Sequence, residues 1–460
     1  MKRVKFFMAL ALLVFFGLHT CTNSSFYTKS DTSSLLPIPM TEITPVVKAT
    51  FASNTSPEKV VTIKTEVPSE PAKTVYKKQT AKSLNVDFKP IPDYLDKSIK
   101  WLADAQFENG GWGAGLSSQQ NIRDPKSVTV DPATTAFSAM ALMNTGSSLT
   151  DGDYQANIKQ ALKLLVDMTE KSSAESKNIT DIQGTQPQNK LGQNIDLSMA
   201  TQFFARAIEQ LENDKQLKKR TKAALEKCLA KIEKSQHADG SFNDRGWAPV
   251  LQSAMANSAL EMSMDVDGVK VDKATLKKSQ AYQQQNVTAT GSADTEKAAG
   301  VQLYAYSSAQ RATAVDANRV KEVLQDDITF SRIEEKTEVV SPEAIEDVAV
   351  MLENKGIEKN EAKDIANAYA KNKAATSQLQ SESILSGFGN NGGEEYLSYM
   401  MTSESMVENG DEAWSEWHAK MKSRLGKVQN GDGSWSGHHC ITSPVFCTAA
   451  VIMTLTADRK

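Results

Sequence analysis

Gln429-Asn430-Gly431-Asp432-Gly433-Ser434-Trp435 is the stretch on which the reading of the chain turns. Two others share its pattern: Gln106-Phe-Glu-Asn-Gly110-Gly-Trp112 and Gln236-His-Ala-Asp-Gly240-Ser-Phe242. In all three a Gln is followed by three residues, a Gly, one small residue and an aromatic ring. An amphipathic helical pattern leads up to each Gln, and the Gly sits where a helix ends in a left-handed residue. An apolar helical run comes after each: Thr134 to Leu142, Val250 to Met262 and Cys447 to Leu455. Each repeat therefore predicts helix, glycine turn, helix, and the fold class is all-α. Leu191-Gly-Gln-Asn-Ile-Asp-Leu, running on to Met199, Phe203 and Ile208, predicts a further inner helix.

The repeat resembles the QW motif of the terpene cyclase and protein prenyltransferase superfamily. The resemblance implies an α/α toroid in which inner and outer helices alternate around a ring. It also implies that Gln106 with Trp112, Gln236 with Phe242, and Gln429 with Trp435 fasten neighbouring helices together. The spacings of 130 and 193 residues between the three Gln positions imply degenerate units between them. Residues of about 308–380, which lack Trp, are expected to form a helical insertion on a domain spanning 91–460. Within it Ser341-Pro342-Glu343 opens one helix and Gly356 closes it, with a second helix over Asn360 to Asn372.

Upstream of this domain the chain reads as an exported leader and a spacer. Lys2, Arg3 and Lys5 precede an apolar run from Phe6 to Leu18, the pattern of a signal segment over residues 1–20. Leu18-His-Thr-Cys21 resembles the lipobox of bacterial lipoproteins, which implies lipid attachment at Cys21 and a place in the cell envelope; plain secretion is the other reading. Residues 21–90 hold seven of the 14 prolines and are rich in Ser, Thr and Lys, a composition expected to form a disordered tether. The net charge of −4 is spread without a basic stripe, which argues against nucleic acid as a partner. Four cysteines allow at most one internal disulfide once Cys21 is set aside.

Chemistry-bearing side chains concentrate near the C-terminus. His438, His439, Cys440 and Cys447 offer the ligand types zinc prefers; a Cys440–Cys447 disulfide and buried reduced thiols are the competing readings. Glu394 and Glu395 open a helix after a glycine-rich turn, as candidate acid, base or ligand, or as plain dipole partners. Asp196 on an apolar helix reads as hydrogen-bonded structure, and Trp414 with Trp417 as core packing. The catalytic signatures of the resembled families are missing. Asp265-Val-Asp267-Gly and Leu324-Gln-Asp326-Asp327 each lack a carboxylate of the cyclase Asp-x-Asp-Asp motif, and Gly392-Gly-Glu394-Glu395 lacks the Cys of the related thioester domains. Two functions follow: an envelope protein binding a protein or small-molecule ligand in or on the ring, or an enzyme centred on the Glu/His/Cys cluster, either metal-free or metal-dependent, with zinc the metal its ligand types suit.

Overall fold

The computed structural model describes residues 89–242, 246–336, 339–410 and 412–459, within one compact unit, Gln79–Lys460. The expected signal segment, Cys21 and all of the tether before Lys89 lie outside the described residues. Those described are all-α: sixteen helices and two short 3-10 turns, with no strand among them. In chain order these are α1 (Tyr94–Asp104), α2 (Pro132–Asn144), α3 (Gln155–Lys171), the short α4 (Gln186–Leu191), α5 (Ile195–Ile208), α6 (Lys215–Lys234), α7 (Pro249–Met264) and α8 (Lys273–Gln284). There follow α9 (Gln302–Leu324), α10 (Ile328–Lys336), α11 (Pro342–Asn354), α12 (Lys359–Gln378), the short α13 (Glu382–Leu385), α14 (Gly393–Glu408), α15 (Glu412–Gly426) and α16 (Pro444–Leu455).

Six helices form a closed circuit. Helix α2 packs on α5, α5 on α7, α7 on α9, α9 on α14, α14 on α16, and α16 back on α2. Every residue of α2 and α16 is buried, as expected of helices surrounded on all sides. The helices between them in sequence lie outside: α1 against α16 and α2, α3 against α2 and α5, α6 against α5 and α7, α8 against α7 and α9, α12 against α9, and α15 against α14 and α16. Outer helices α1, α3 and α6 bury a single apolar stripe. Apart from the short α4 and α13 and the pair α10 and α11, outer and inner helices alternate along the chain, an order compatible with an α/α toroid.

The repeat residues sit at the outer-to-inner turns. Gln106 Nε2 donates to Gly110 O at 2.8 Å and across to Asn157 O of α3 at 2.9 Å. Gln236 Nε2 donates to Gly240 O and to Thr275 O of α8. Gln429 Nε2 donates to Gly433 O, to Tyr94 O at 3.0 Å and to Ser98 Oγ at 2.8 Å, so the last repeat is tied to the first helix. Each Gln thus holds its own turn and the start of the next outer helix. The aromatic rings are fully buried. Trp112 Nε1 donates to Leu102 O and Trp435 Nε1 to Leu425 O, satisfying helix-end carbonyls that have no helical partner. Phe242 has no such donor, and Ser235 Oγ caps the equivalent Ile232 O instead. The backbone N–H groups of the three rings donate to hydroxyls of the inner helices, Thr135, Ser253 and Thr448.

A fourth turn of the same build escaped the sequence reading. Thr288 N donates to Ser292 O and Gly291 N to Thr288 O, the pattern made by Phe107, His237 and Asn430 in the other three. Gly291 has φ +84, beside +89, +90 and +96 at Gly110, Gly240 and Gly433. Val287 and Ala293 occupy the Gln and aromatic places. The insertion is also narrower than about 308–380. The first half of α9 is buried in the ring, and α12 lies along it as an outer helix. Only the far end of α9, α10, α11 and the start of α12 gather around a separate apolar cluster, including Val320, Phe330, Leu352 and Ile365. The helix expected over Asn360 to Asn372 accordingly runs on to Gln378.

Candidate functional site

Inner helices α2, α7 and α16 begin with a proline in the first turn, which lacks only an N–H that has no helical acceptor there. Helix α14 instead opens on Gly392-Gly393-Glu394-Glu395. The glycine is required by space: a Cβ on Gly392 would lie 2.8 Å from His439 Cε1 and 2.9 Å from His439 O. The loop before α16 can therefore press its histidine onto the start of α14.

Glu395 is fully buried and fully engaged. Its Oε1 accepts from Tyr304 Oη at 2.6 Å and from Phe388 N at 3.1 Å; its Oε2 accepts from Gly392 N at 2.8 Å. It joins α9, the glycine turn and α14. Burial together with the Glu395 charge raises the Tyr304 hydroxyl well above its ordinary pKa, so it stays a donor.

Glu394 is equally buried and poorly satisfied. Among the described residues its Oε2 accepts one long bond, from Ile441 N at 3.3 Å, and its Oε1 has no partner. Burial, then the neighbouring Glu395, pushes its pKa from 4.5 up to about 8. An unpartnered buried carboxylate oxygen costs stability and calls for a reason.

His439 Nε2 lies 2.6 Å from Asn390 O and 3.6 Å from Glu395 Oε2. The shorter contact decides the tautomer. A carbonyl only accepts, so Nε2 carries the hydrogen and Nδ1 keeps its lone pair. Nδ1 is buried and has no partner among the described residues. Next to it Cys440 is buried with φ +56, a left-handed backbone that is rare for a residue with a side chain. Ligand atoms of Glu394, His439 and Cys440 all lie within 4.8 Å of one another. A contraction of about 1 Å brings them to the spacing of ligands on one tetrahedral zinc.

The structure therefore brings together Glu394, His439 and Cys440, and sets His438 and Cys447 apart. His438 is exposed, its backbone N–H donating to Asn391 O. Cys447 lies in the first turn of α16 with Sγ 3.7 Å from Ile441 O, and burial drives its thiol pKa far up. Cys440 and Cys447 are not joined by a disulfide in this structure. Asp196 accepts from Ala133 N, Asn178 Nδ2 and Gln188 Nε2 and is structural cement between α2, α4 and α5. Trp414 and Trp417 are core.

Several neighbours of the site carried no sequence signal. Besides Tyr304 they include Lys190 at the end of α4, 6% exposed, whose Nζ lies 5.7 Å from the Trp247 ring centre and within electrostatic reach of Glu394. Trp247 meets Phe388 edge-on at 5.7 Å, and Phe388, half exposed at 51%, meets the His439 ring at 5.3 Å. No described helix is long and apolar enough to cross a membrane. No protein-family description matches the chain, and no curated protein is similar to it.

Proposed function

We propose that this protein is an exported, lipid-tethered helical ring carrying a metal-dependent catalytic centre, with Glu394, His439 and Cys440 as ligands of a zinc ion. The observation that carries this reading is the pair of buried atoms without partners, Glu394 Oε1 and His439 Nδ1, beside a third ligand type. Cation binding removes both deficits at once. Thiolate, imidazole and carboxylate together suit zinc better than calcium or magnesium. Three protein ligands leave a fourth position, the hallmark of catalytic rather than structural zinc. Zinc held there supplies a Lewis acid and a bound water acidic enough to ionise near neutrality.

The protein's own residues have separate parts. Asn390 O fixes the His439 tautomer, Glu395 with Tyr304 anchors the start of α14, and Gly392 leaves room for the imidazole. Metal analysis of the purified full chain is the test. One equivalent of zinc in the native protein, lost in Cys440→Ser and His439→Ala and kept in Cys447→Ser, is the expected pattern. A native protein that neither contains nor takes up zinc overturns it. Lipid attachment rests separately on Leu18 to Cys21, and Cys21→Ala releases the protein from membranes if that part is right.

A further inference from the structure

Lys190 is 6% exposed, and among the described residues its ammonium has no hydrogen-bond acceptor. Its backbone is held because its carbonyl accepts from Trp247 N at 3.0 Å and Ala248 N at 3.4 Å, and its Nζ lies over the Trp247 ring, 5.7 Å from the ring centre. Its three donors, without an acceptor among those residues, are available to an anion that reaches the site. From this we propose that Lys190 anchors the carboxylate of a small monoanionic ligand at the metal centre, and that the apolar body of that ligand lies on Trp247 and Phe388. The inference rests on the metal reading above.

Charge argues for a carboxylate over a phosphate. Glu394, Glu395 and a metal-bound Cys440 thiolate bring three negative charges; zinc and Lys190 bring three positive ones. A monoanion adds one net charge, whereas a dianionic phosphate adds two against the fixed carboxylate of Glu395. The aromatic rings argue for an apolar body. Phe388 is half exposed and Trp247 partly so, and they sit edge to face between Lys190 and His439, an apolar ledge that leads from solvent to the ammonium. A benzoate-like molecule or the C-terminal residue of a peptide has both features.

The test uses the full chain loaded with cobalt(II), whose visible absorption reports a change at the fourth position. Benzoate is expected to shift that spectrum saturably. Lys190→Gln weakens benzoate at least tenfold without weakening cobalt binding, Lys190→Arg keeps most of it, and Phe388→Ala weakens benzoate several-fold while leaving acetate unchanged. Equal benzoate affinity in native and Lys190→Gln protein, or a preference for inorganic phosphate over benzoate, overturns the proposal. Failure to bind cobalt is a failure of the metal reading alone. Benzoate binding is then read from Trp247 emission, as the difference between native and Trp247→Phe protein. A benzoate response that disappears in Lys190→Gln upholds the anchor, and no response in native protein refutes it.

Discussion

Glu394→Gln separates the cost of burying this carboxyl from its use as a ligand. In the metal-free fold the Glu394 carboxyl titrates at about 8, above the ordinary 4.5. Below pH 4.5 the group is protonated whether the chain is folded or not, and contributes nothing to the pH dependence. Between pH 4.5 and 8 the unfolded chain releases this proton while the folded one keeps it, so stability falls as pH rises, and above 8 the full penalty is present. At about 1.4 kcal/mol per pH unit the ceiling is about 5 kcal/mol, and relaxation of a buried site brings this to about 2–3 kcal/mol. Glutamine keeps the shape and removes the ionisation. In chelator, the variant should match the native protein in urea unfolding at pH 5 and exceed it by about 2–3 kcal/mol at pH 8, with an unchanged denaturant slope. Asp131 and Asp316, raised to about 7 and about 6 by burial, tilt both proteins equally and cancel in the comparison. Added zinc should stabilise the native chain at pH 8 and the variant far less. A variant no more stable than the native protein at pH 8 in chelator would refute the reasoning.

Gln429→Ala removes three hydrogen bonds that join the last repeat to α1 and should cost about 1–3 kcal/mol in chemical denaturation. Trp435→Phe leaves Leu425 O without its donor, and the loss of about 1–2 kcal/mol should shrink when Val428→Ser supplies the hydroxyl that Ser235 provides beside Phe242. Thiol titration of denatured, chelated protein should find both Cys440 and Cys447 reactive without reductant; a protected pair would contradict a fold in which no disulfide joins them.

What could be read from the sequence follows from how each feature is encoded. The three turns were legible because Gln, Gly and an aromatic ring recur at fixed local spacing. The Thr288–Ser292 turn was not, because Val287 and Ala293 replace two of those residues and only the backbone preserves the design. The hydroxyls of Thr135, Ser253 and Thr448 stand 23, 11 and 13 residues after their rings, so no constant interval betrays them. Of the site, Glu394, His439 and Cys440 stood out by type. Tyr304 and Lys190 did not: Tyr304 lies 91 residues from Glu395 and meets it only because α9 packs on α14, and Lys190 is still farther in sequence from Glu394. The insertion was drawn too wide because α9 and α12 serve two cores and show the clean stripe of neither.

The bonds from Gln429 to α1 are accompanied by two more, Lys89 N to Asp458 Oδ2 at 2.7 Å and Arg459 Nη2 to Lys89 O at 2.9 Å. These contacts span more than 330 residues of sequence, so they carry nearly the largest loop-closure entropy the chain can incur and form late in folding. An open solenoid folds from any repeat outward and tolerates gaining or losing a unit. Here the last unit completes the seat of the first, so a nascent chain that has not yet released α16 has no finished core. Because the two ends of the domain meet, its order of connection is arbitrary to the fold: joining Lys89 to Arg459 and opening the chain in another exposed turn would preserve every inner-helix contact.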